Sequence, residues 1–193
     1  KVCEHINLPV QAGADSVLYN MRRGYTRDQY LDKIEQIRRI VPNVSLSTDV
    51  IVGFCGESDK DFNETLDIIK SVRFDKVHAA VYSNRPGTIA ARKFDNDVPD
   101  DVKKERFVAL ETLQKQISAE INHGYMNSIQ DVLVETVEKD KAKGRSRNDK
   151  IVHFEGSEDL IGKIVQVKIA KTGPWSLQGY TVNKAKLLLS VES

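Results

Sequence analysis

The sequence predicts an α/β segment followed by an all-β domain, and three observations carry that reading. Residues 5–82 alternate three apolar, β-branched stretches with helical patterns, as in a parallel sheet covered by helices. The middle stretch, 44–52, ends in Gly53-Phe54-Cys55-Gly56 and runs at once into a helix start. Two glycines there let the backbone turn sharply, the geometry of a ligand site at the carboxyl edge of such a sheet. From Ile129 onward the apolar spacing changes from helical to alternating, as expected of a small antiparallel barrel of the OB-like size class. The division is therefore expected between 1–128 and 129–193.

The elements follow in order. Ile6, Leu8 and Val10 alternate as a first strand, and the chain opens mid-pattern, as a segment of a longer protein would. Residues 16–21 form a short helix that ends before Gly24. Thr26-Arg-Asp-Gln29 is a capping box, and Tyr30, Ile34, Ile37 and Val41 mark a helix that Pro42-Asn43 stops. After the second strand, Ser58 caps a helix with Asp59 and Asp61 in its first turn and Phe62, Leu66, Ile69 and Val72 on one face. Residues 76–82 are the third strand. An irregular charged linker reaches Asp97, and a long helix over 101–122 carries Val102, Phe107, Leu110, Leu113, Ile117 and Ile121 on one stripe. Strands are expected at 131–137, 143–147, 151–154, 161–169 and 177–182, with a last apolar run at 185–191.

Composition narrows the function classes. The 193 residues are 40% hydrophobic and 30% charged, enough to bury a real core. No apolar run is long enough for a membrane helix, and no membrane partner is expected. Cys3 and Cys55 alone cannot build a disulfide framework, an iron–sulfur cluster or a structural zinc site, and they fit a reducing, cytoplasmic setting. The net charge of +1 divides unevenly. Residues 1–128 hold 18 basic and 19 acidic residues, whereas 129–193 hold 11 and 9. The basic residues between Lys141 and Lys150 point to an anionic partner.

Several residues could carry chemistry, each with a plain structural alternative. His5 and His78 have no metal-ligand spacing to a Cys or carboxylate, which favours strand-edge roles. Cys55 is a reactive thiol or a small apolar filler near a helix start. Arg22 and Arg23 either end a solvated helix or hold a carboxylate or phosphate. Asp49 lies in an apolar strand and needs hydrogen-bond donors. Gly144-Arg-Ser-Arg-Asn148 with Lys150 forms a basic strand and turn. With Trp175 it suits phosphate contact and base stacking, or else it is a solvated hairpin beside a core tryptophan.

Taken together, the motifs resemble the radical-SAM methylthiotransferases. The likeness is carried by His5-Ile-Asn-Leu-Pro-Val-Gln-Ala-Gly13, Met21-Arg-Arg-Gly-Tyr-Thr26, Thr48-Asp-Val-Ile-Val-Gly-Phe-Cys-Gly-Glu57 and Tyr82-Ser-Asn-Arg-Pro-Gly-Thr88. Val132-Leu-Val-Glu135, Gly144-Arg-Ser-Arg-Asn148, Val152-His-Phe-Glu-Gly156 and Ser176-Leu-Gln-Gly179 are similar to that family's RNA-binding TRAM barrel. The GRSRN block and the Ser-Leu-Gln-Gly ending most resemble the tRNA-modifying, MiaB-type branch. Ala12 and Cys55 depart from the family, which more often has Ser and Pro there.

The resemblance implies the later half of a partial (βα)6 radical-SAM barrel followed by TRAM. It implies S-adenosylmethionine and two 4Fe–4S clusters in the full-length protein, with ligands outside this chain, which lacks the CxxxCxxC motif and is expected to be inactive alone. The implied reaction adds a methylthio group to an isopentenylated adenosine beside the tRNA anticodon. Gln11, Gly13, Arg22, Arg23, Asp49, Gly53 and Glu57 would line or support the SAM side. Arg85 and Thr88 would face substrate, and Arg145, Arg147, Asn148, Lys150 and Trp175 would meet the tRNA anticodon arm. The alternatives are a non-catalytic RNA-binding module on an α/β platform, or a methylthiotransferase for threonylcarbamoyl-adenosine tRNA or a ribosomal protein. An ordinary hydrolase is disfavoured by the lack of a Ser/His/Asp grouping. A half barrel is also expected to expose an apolar inward face and to form a homodimer through it.

Overall fold

The computed structural model describes residues 2–182. These divide into two compact units, residues 6–117 and residues 2–5 with 118–182. The division falls before the expected 128/129 boundary, because the end of the long helix and the turns after it group with the barrel.

In the first unit, β1 (His5–Asn7), β2 (Ser45–Val52) and β3 (Lys76–Val81) form a three-stranded sheet in that order, with β2 and β3 parallel. β1 is shorter than its alternating residues predict. Pro9 can donate no ladder hydrogen bond, and pairing resumes only as an isolated parallel bridge from Gln11 to Val50. The connecting helices are α1 (Asp15–Asn20), α2 (Arg27–Ile40) and α3 (Asp59–Val72). The Thr26–Gln29 capping box forms as expected, and Ser58 and Asp61 build a second one. The linker contains a short helix absent from the sequence reading, α4 (Ile89–Lys93), capped by Thr88. The long helix is α5 (Asp100–His123).

Burial separates the two faces of the sheet. Leu46, Val50, Val52 and Val77 are buried, alongside Ile68, Ile69 and Val72 of α3. The other face holds Asn7, Ser47, Asp49 and His78. The Ser47 hydroxyl donates to Asn7 Oδ1 (2.9 Å), Asn7 Nδ2 donates to Asp49 (3.2 Å), and Asp49 stands opposite His78 in the register. The inward face was expected to be apolar; it is polar at these positions, and Ile51 and Ala80 make it apolar only toward the carboxyl edge. Association through that face therefore has less apolar surface to drive it than the expected homodimer assumed.

α5 also departs from the expected stripe. Its buried positions are Lys103, Arg106, Leu110, Gln114, Ile117, Ser118 and Asn122, while Val102, Phe107, Leu113 and Ile121 are only half-buried. The polar members stay buried because each finds a partner. Gln114 Nε2 donates to the Phe74 carbonyl (2.9 Å), and Lys103 and Arg106 are engaged as described below.

The second unit is a closed barrel in the order β4-β5-β6-β8-β7. Its strands are β4 (Ile129–Glu138), β5 (Lys141–Ser146), β6 (Ile151–Glu155), β7 (Ile164–Thr172) and β8 (Leu177–Thr181). A 3-10 turn at Glu158–Leu160 precedes β7, which begins at Ile164 and ends at Thr172 where the sequence predicts 161–169. Val132, Val134, Ala142, Val152, Phe154, Val167, Ile169 and Leu177 point inward as one core. The expected run at 185–191 lies outside the described residues.

Candidate functional site

The carboxyl edge of the sheet gathers most of the expected ligand residues. Gln11 adopts φ +71° there. Its N–H donates to the Asp49 carbonyl and its own carbonyl accepts from Ile51 N–H, each at 2.9 Å. The loop after α1 lies over the end of β1, because the Tyr25 hydroxyl reaches the carbonyls of Pro9 (3.2 Å) and Val10 (3.1 Å). Burial raises the Tyr25 phenol above its ordinary value, despite nearby Arg23. Arg22 and Arg23 are exposed in this loop, with no ion pair among the described residues. Beside the same edge is a recess of about 260 Å³ lined by Ile51, Ala80, Val81, Tyr82, Arg85 and Thr88 among others.

Other expected ligand residues are engaged within the fold. The Glu57 carboxylate is fully buried, accepts from Gly53 N–H (2.7 Å) and pairs with Arg106 (2.9 Å). Burial raises its carboxyl above the ordinary 4.5, while the Gly53 N–H and Arg106 pull it the other way. Gly53 has φ +72°, and a Cβ there would stand 2.3 Å from the Lys103 stem. Gly13 meets α3 so closely that a Cβ would lie 2.3 Å from the Glu64 carbonyl oxygen. Its N–H donates to the Thr65 hydroxyl at 2.8 Å. The Thr88 hydroxyl caps α4. Glu57, Gly53 and Gly13 thus shape the edge rather than project from it, whereas Thr88 both caps α4 and lines the exposed recess.

Lys103 and Arg106, which the sequence reading passed over, hold the glycine turn from below. Lys103 Nζ donates to Asn96 (2.6 Å) and lies 5.7 Å from the Tyr82 ring centre. Arg106 also bonds the Glu57 carbonyl (3.1 Å) and Asp59 (2.7 Å). The signal was present as two cations three residues apart on a helix face otherwise marked for burial. Cys55 is buried in this turn beside Phe54, which meets Tyr82 edge-on at 4.9 Å. Burial and the neighbouring Cys55 thiol push the Tyr82 phenol up to about 12. Buried Cys55 fits the filler reading better than a reactive thiol.

In the barrel unit the expected RNA-binding cations are already paired. Arg147 makes a two-pronged contact with Glu4 (2.7 Å to each oxygen) and donates to the Val2 carbonyl. Asn148 donates to the Glu4 carbonyl (3.2 Å), and His5 stands 3.9 Å from Asp149. Arg145 is held by Asp149 (2.7 Å) and Glu135 (3.2 Å). Lys150 is buried over the Tyr125 ring. Cys3 and His5 line a recess of about 440 Å³ with Asp131, Arg145 and Ser146. Trp175 alone of the expected set stands free of such pairing, 52% exposed in the β7–β8 turn. Among the described residues no three His, Cys, Asp or Glu side chains are grouped to hold a metal ion. No helix among them is long and apolar enough to cross a membrane.

The Glu4–Arg147 contact gives a pH prediction. The guanidinium holds the Glu4 carboxyl below its ordinary value of 4.5, so the contact is complete above that value and lost as pH falls through the lower one. The Arg147 side-chain NMR resonances should therefore move on acidification below 4.5 and stay fixed in Glu4→Gln. Identical titrations in both proteins would remove the contact.

A sheet with a polar open face and ligand-sized carboxyl edge, followed by a closed five-stranded barrel, defines a two-part class that sequence comparison identifies. The Radical SAM superfamily profile matches residues 1–69 and the TRAM domain profile matches residues 124–182. The chain thus joins a segment similar to the Radical SAM superfamily to one similar to the TRAM domain. More particularly, it is 46% identical over 185 residues to tRNA-2-methylthio-N(6)-dimethylallyladenosine synthase of Acetivibrio thermocellus, covering 94% of this chain and 38% of that one. It is 48% identical over 182 residues to the synthase of the same name from Clostridium botulinum, covering 93% and 40%. The synthase from Natranaerobius thermophilus is 46% identical over 182 residues, again covering 93% and 40%. The chain thus spans about two fifths of the length of these relatives.

Proposed function

We propose that this chain supplies one wall of the reaction chamber and the RNA-holding barrel of a radical-SAM tRNA methylthiotransferase. The modified atom would be C2 of an N6-isopentenylated adenosine beside the anticodon. The observation that carries the reading is the polar inward face of the sheet, which ends at a carboxyl edge bearing free arginines and a small, largely apolar recess.

The donor set fits the implied cofactor. S-adenosylmethionine carries a carboxylate, an ammonium and ribose hydroxyls. Arg22 and Arg23 suit the first, and Asp49 suits the cationic or hydroxyl groups. When bound, SAM and its iron–sulfur clusters supply reductive radical chemistry and the methylthio group. The chain's own residues bind and orient. Ile51, Ala80 and Val81 offer apolar contact to an isoprenoid tail, and Arg85 offers a cation to nearby phosphate. Lys103 and Arg106 fix the glycine turn at the end of β2.

The test uses the whole protein that contains this chain, reconstituted anaerobically with iron and sulfide and given SAM and reductant. Isopentenylated tRNA should gain a methylthio group on the modified nucleoside, read by mass spectrometry. Reaction with threonylcarbamoyl-adenosine tRNA or a ribosomal protein, and none with isopentenylated tRNA, would overturn this substrate assignment.

A further inference from the structure

We propose that RNA crosses the barrel on a row of side chains running across β5, β6, β8 and β7, rather than on the Arg145–Arg147 strand end. The proposal rests on the tRNA reading above and locates the contact. The strand register sets the row. Lys143 stands opposite His153, His153 opposite Gln178, and Gln178 opposite Lys171. All four are exposed, and Ala142, Val152, Phe154 and Leu177, the strand neighbours of Lys143, His153 and Gln178, fill the interior. With neighbouring strands about 4.8 Å apart, the row spans roughly 14 Å. Lys168, the next outward-facing lysine of β7 beyond the bulge, lies opposite Tyr180 and widens the row on that side.

Charge distinguishes this row from the other outward cations of the barrel. Arg145 and Arg147 are neutralised by Glu135, Asp149 and Glu4. Lys141 faces Glu138 on one side and Glu155 on the other. Lys143 instead has Thr136 and His153 as its cross-strand partners, and Lys171 has Gln178. Among the described residues neither lysine makes an ion pair. These cations remain available to phosphates, and Gln178 and His153 between them add neutral hydrogen-bonding groups.

The row ends at a stacking surface. Trp175 occupies the turn between Lys171 and Gln178. That turn is fixed, because Asn122 Nδ2 donates to the carbonyls of Gly173 (2.8 Å) and Pro174 (3.0 Å), and Gly173 N–H donates to Ser176 (2.9 Å). An exposed indole on a pinned turn beside free lysines suits a phosphodiester strand with one unstacked base.

The test measures binding of an anticodon stem–loop RNA to the full 193-residue chain by fluorescence anisotropy across a KCl series. Lys143→Ala with Lys171→Ala should lower the salt slope by about 1.5, since each phosphate contact contributes about 0.7–0.9. Trp175→Ala should weaken binding about 5- to 150-fold with little change in slope. Arg145→Ala with Arg147→Ala should leave the slope unchanged. A slope lost in the arginine pair and kept in the lysine pair would overturn the row while sparing the tRNA reading. No binding by the unaltered chain would overturn both. Circular dichroism on each variant confirms that the barrel is intact, and Lys171→Glu, a surface charge reversal, should weaken binding more than Lys171→Ala.

Discussion

Arg106→Ala should destabilise the α/β unit by about 3–5 kcal/mol, the usual cost of leaving a buried partner charge uncompensated. The pair is well enclosed, with side-chain exposures of 7% for Arg106 and 0% for Glu57. Glu57 also holds Gly53 N–H, so its loss of order reaches the glycine turn directly. The pH dependence has a definite sign. Burial raises the Glu57 carboxyl above 4.5, so the stability linked to its protonation is complete below 4.5 and declines as pH rises through the raised value. Arg106 opposes that rise. Its removal should therefore cost most at neutral pH and least in acid, where Glu57 is protonated in either protein. Glu57→Gln with Arg106→Met should recover much of the loss, because no lone charge stays buried. Denaturant unfolding followed by far-UV circular dichroism measures this. A loss below about 1 kcal/mol for Arg106→Ala at neutral pH would show that the pair is not the brace of the turn.

Gly13→Ala should cost about 3 kcal/mol, at the upper end of ordinary overpacking. The added Cβ would lie 2.3 Å from the Glu64 carbonyl oxygen and 2.4 Å from Thr65 Cα, both of them backbone atoms of α3. The helix cannot yield locally, because the Thr65 hydroxyl takes the Gly13 N–H and Arg27 bonds the carbonyls of both Gly13 and Glu64. Gly24→Ala is the matched control. A Cβ there meets nothing within 4 Å, and the change should stay within about 0.5 kcal/mol. Equal stability of the two variants in urea would rule out the close approach.

Part of the fold was legible in the residues themselves. Local chemistry was: the Thr26 capping box, the Ser58 cap and the change of period at Ile129 all produced the expected elements. The glycine turn was also visible, because positive φ at Gly53 and Gly56 is a property of that short stretch. What could not be read was the partner of a charged side chain. Arg147 reads as a free cation until Glu4, far away in the chain, is brought against it. Lys103 and Arg106 have no visible partner in the sequence until Asn96 and Glu57 supply oxygens in the interior. The four-residue row of the barrel was hidden for the same reason, since it exists only through strand register.

The polar inward face of the sheet has a thermodynamic consequence. Asn7, Asp49 and His78 are solvated wherever no ligand covers them, so an arriving ligand must exchange their water for its own hydrogen bonds. Such an exchange removes little apolar surface, and heat capacity changes on binding scale with apolar burial. Calorimetric binding to this face should accordingly be led by enthalpy, with a small heat capacity change. The apolar recess beside Ile51 and Val81 should give the larger, negative change when an isoprenoid group enters it.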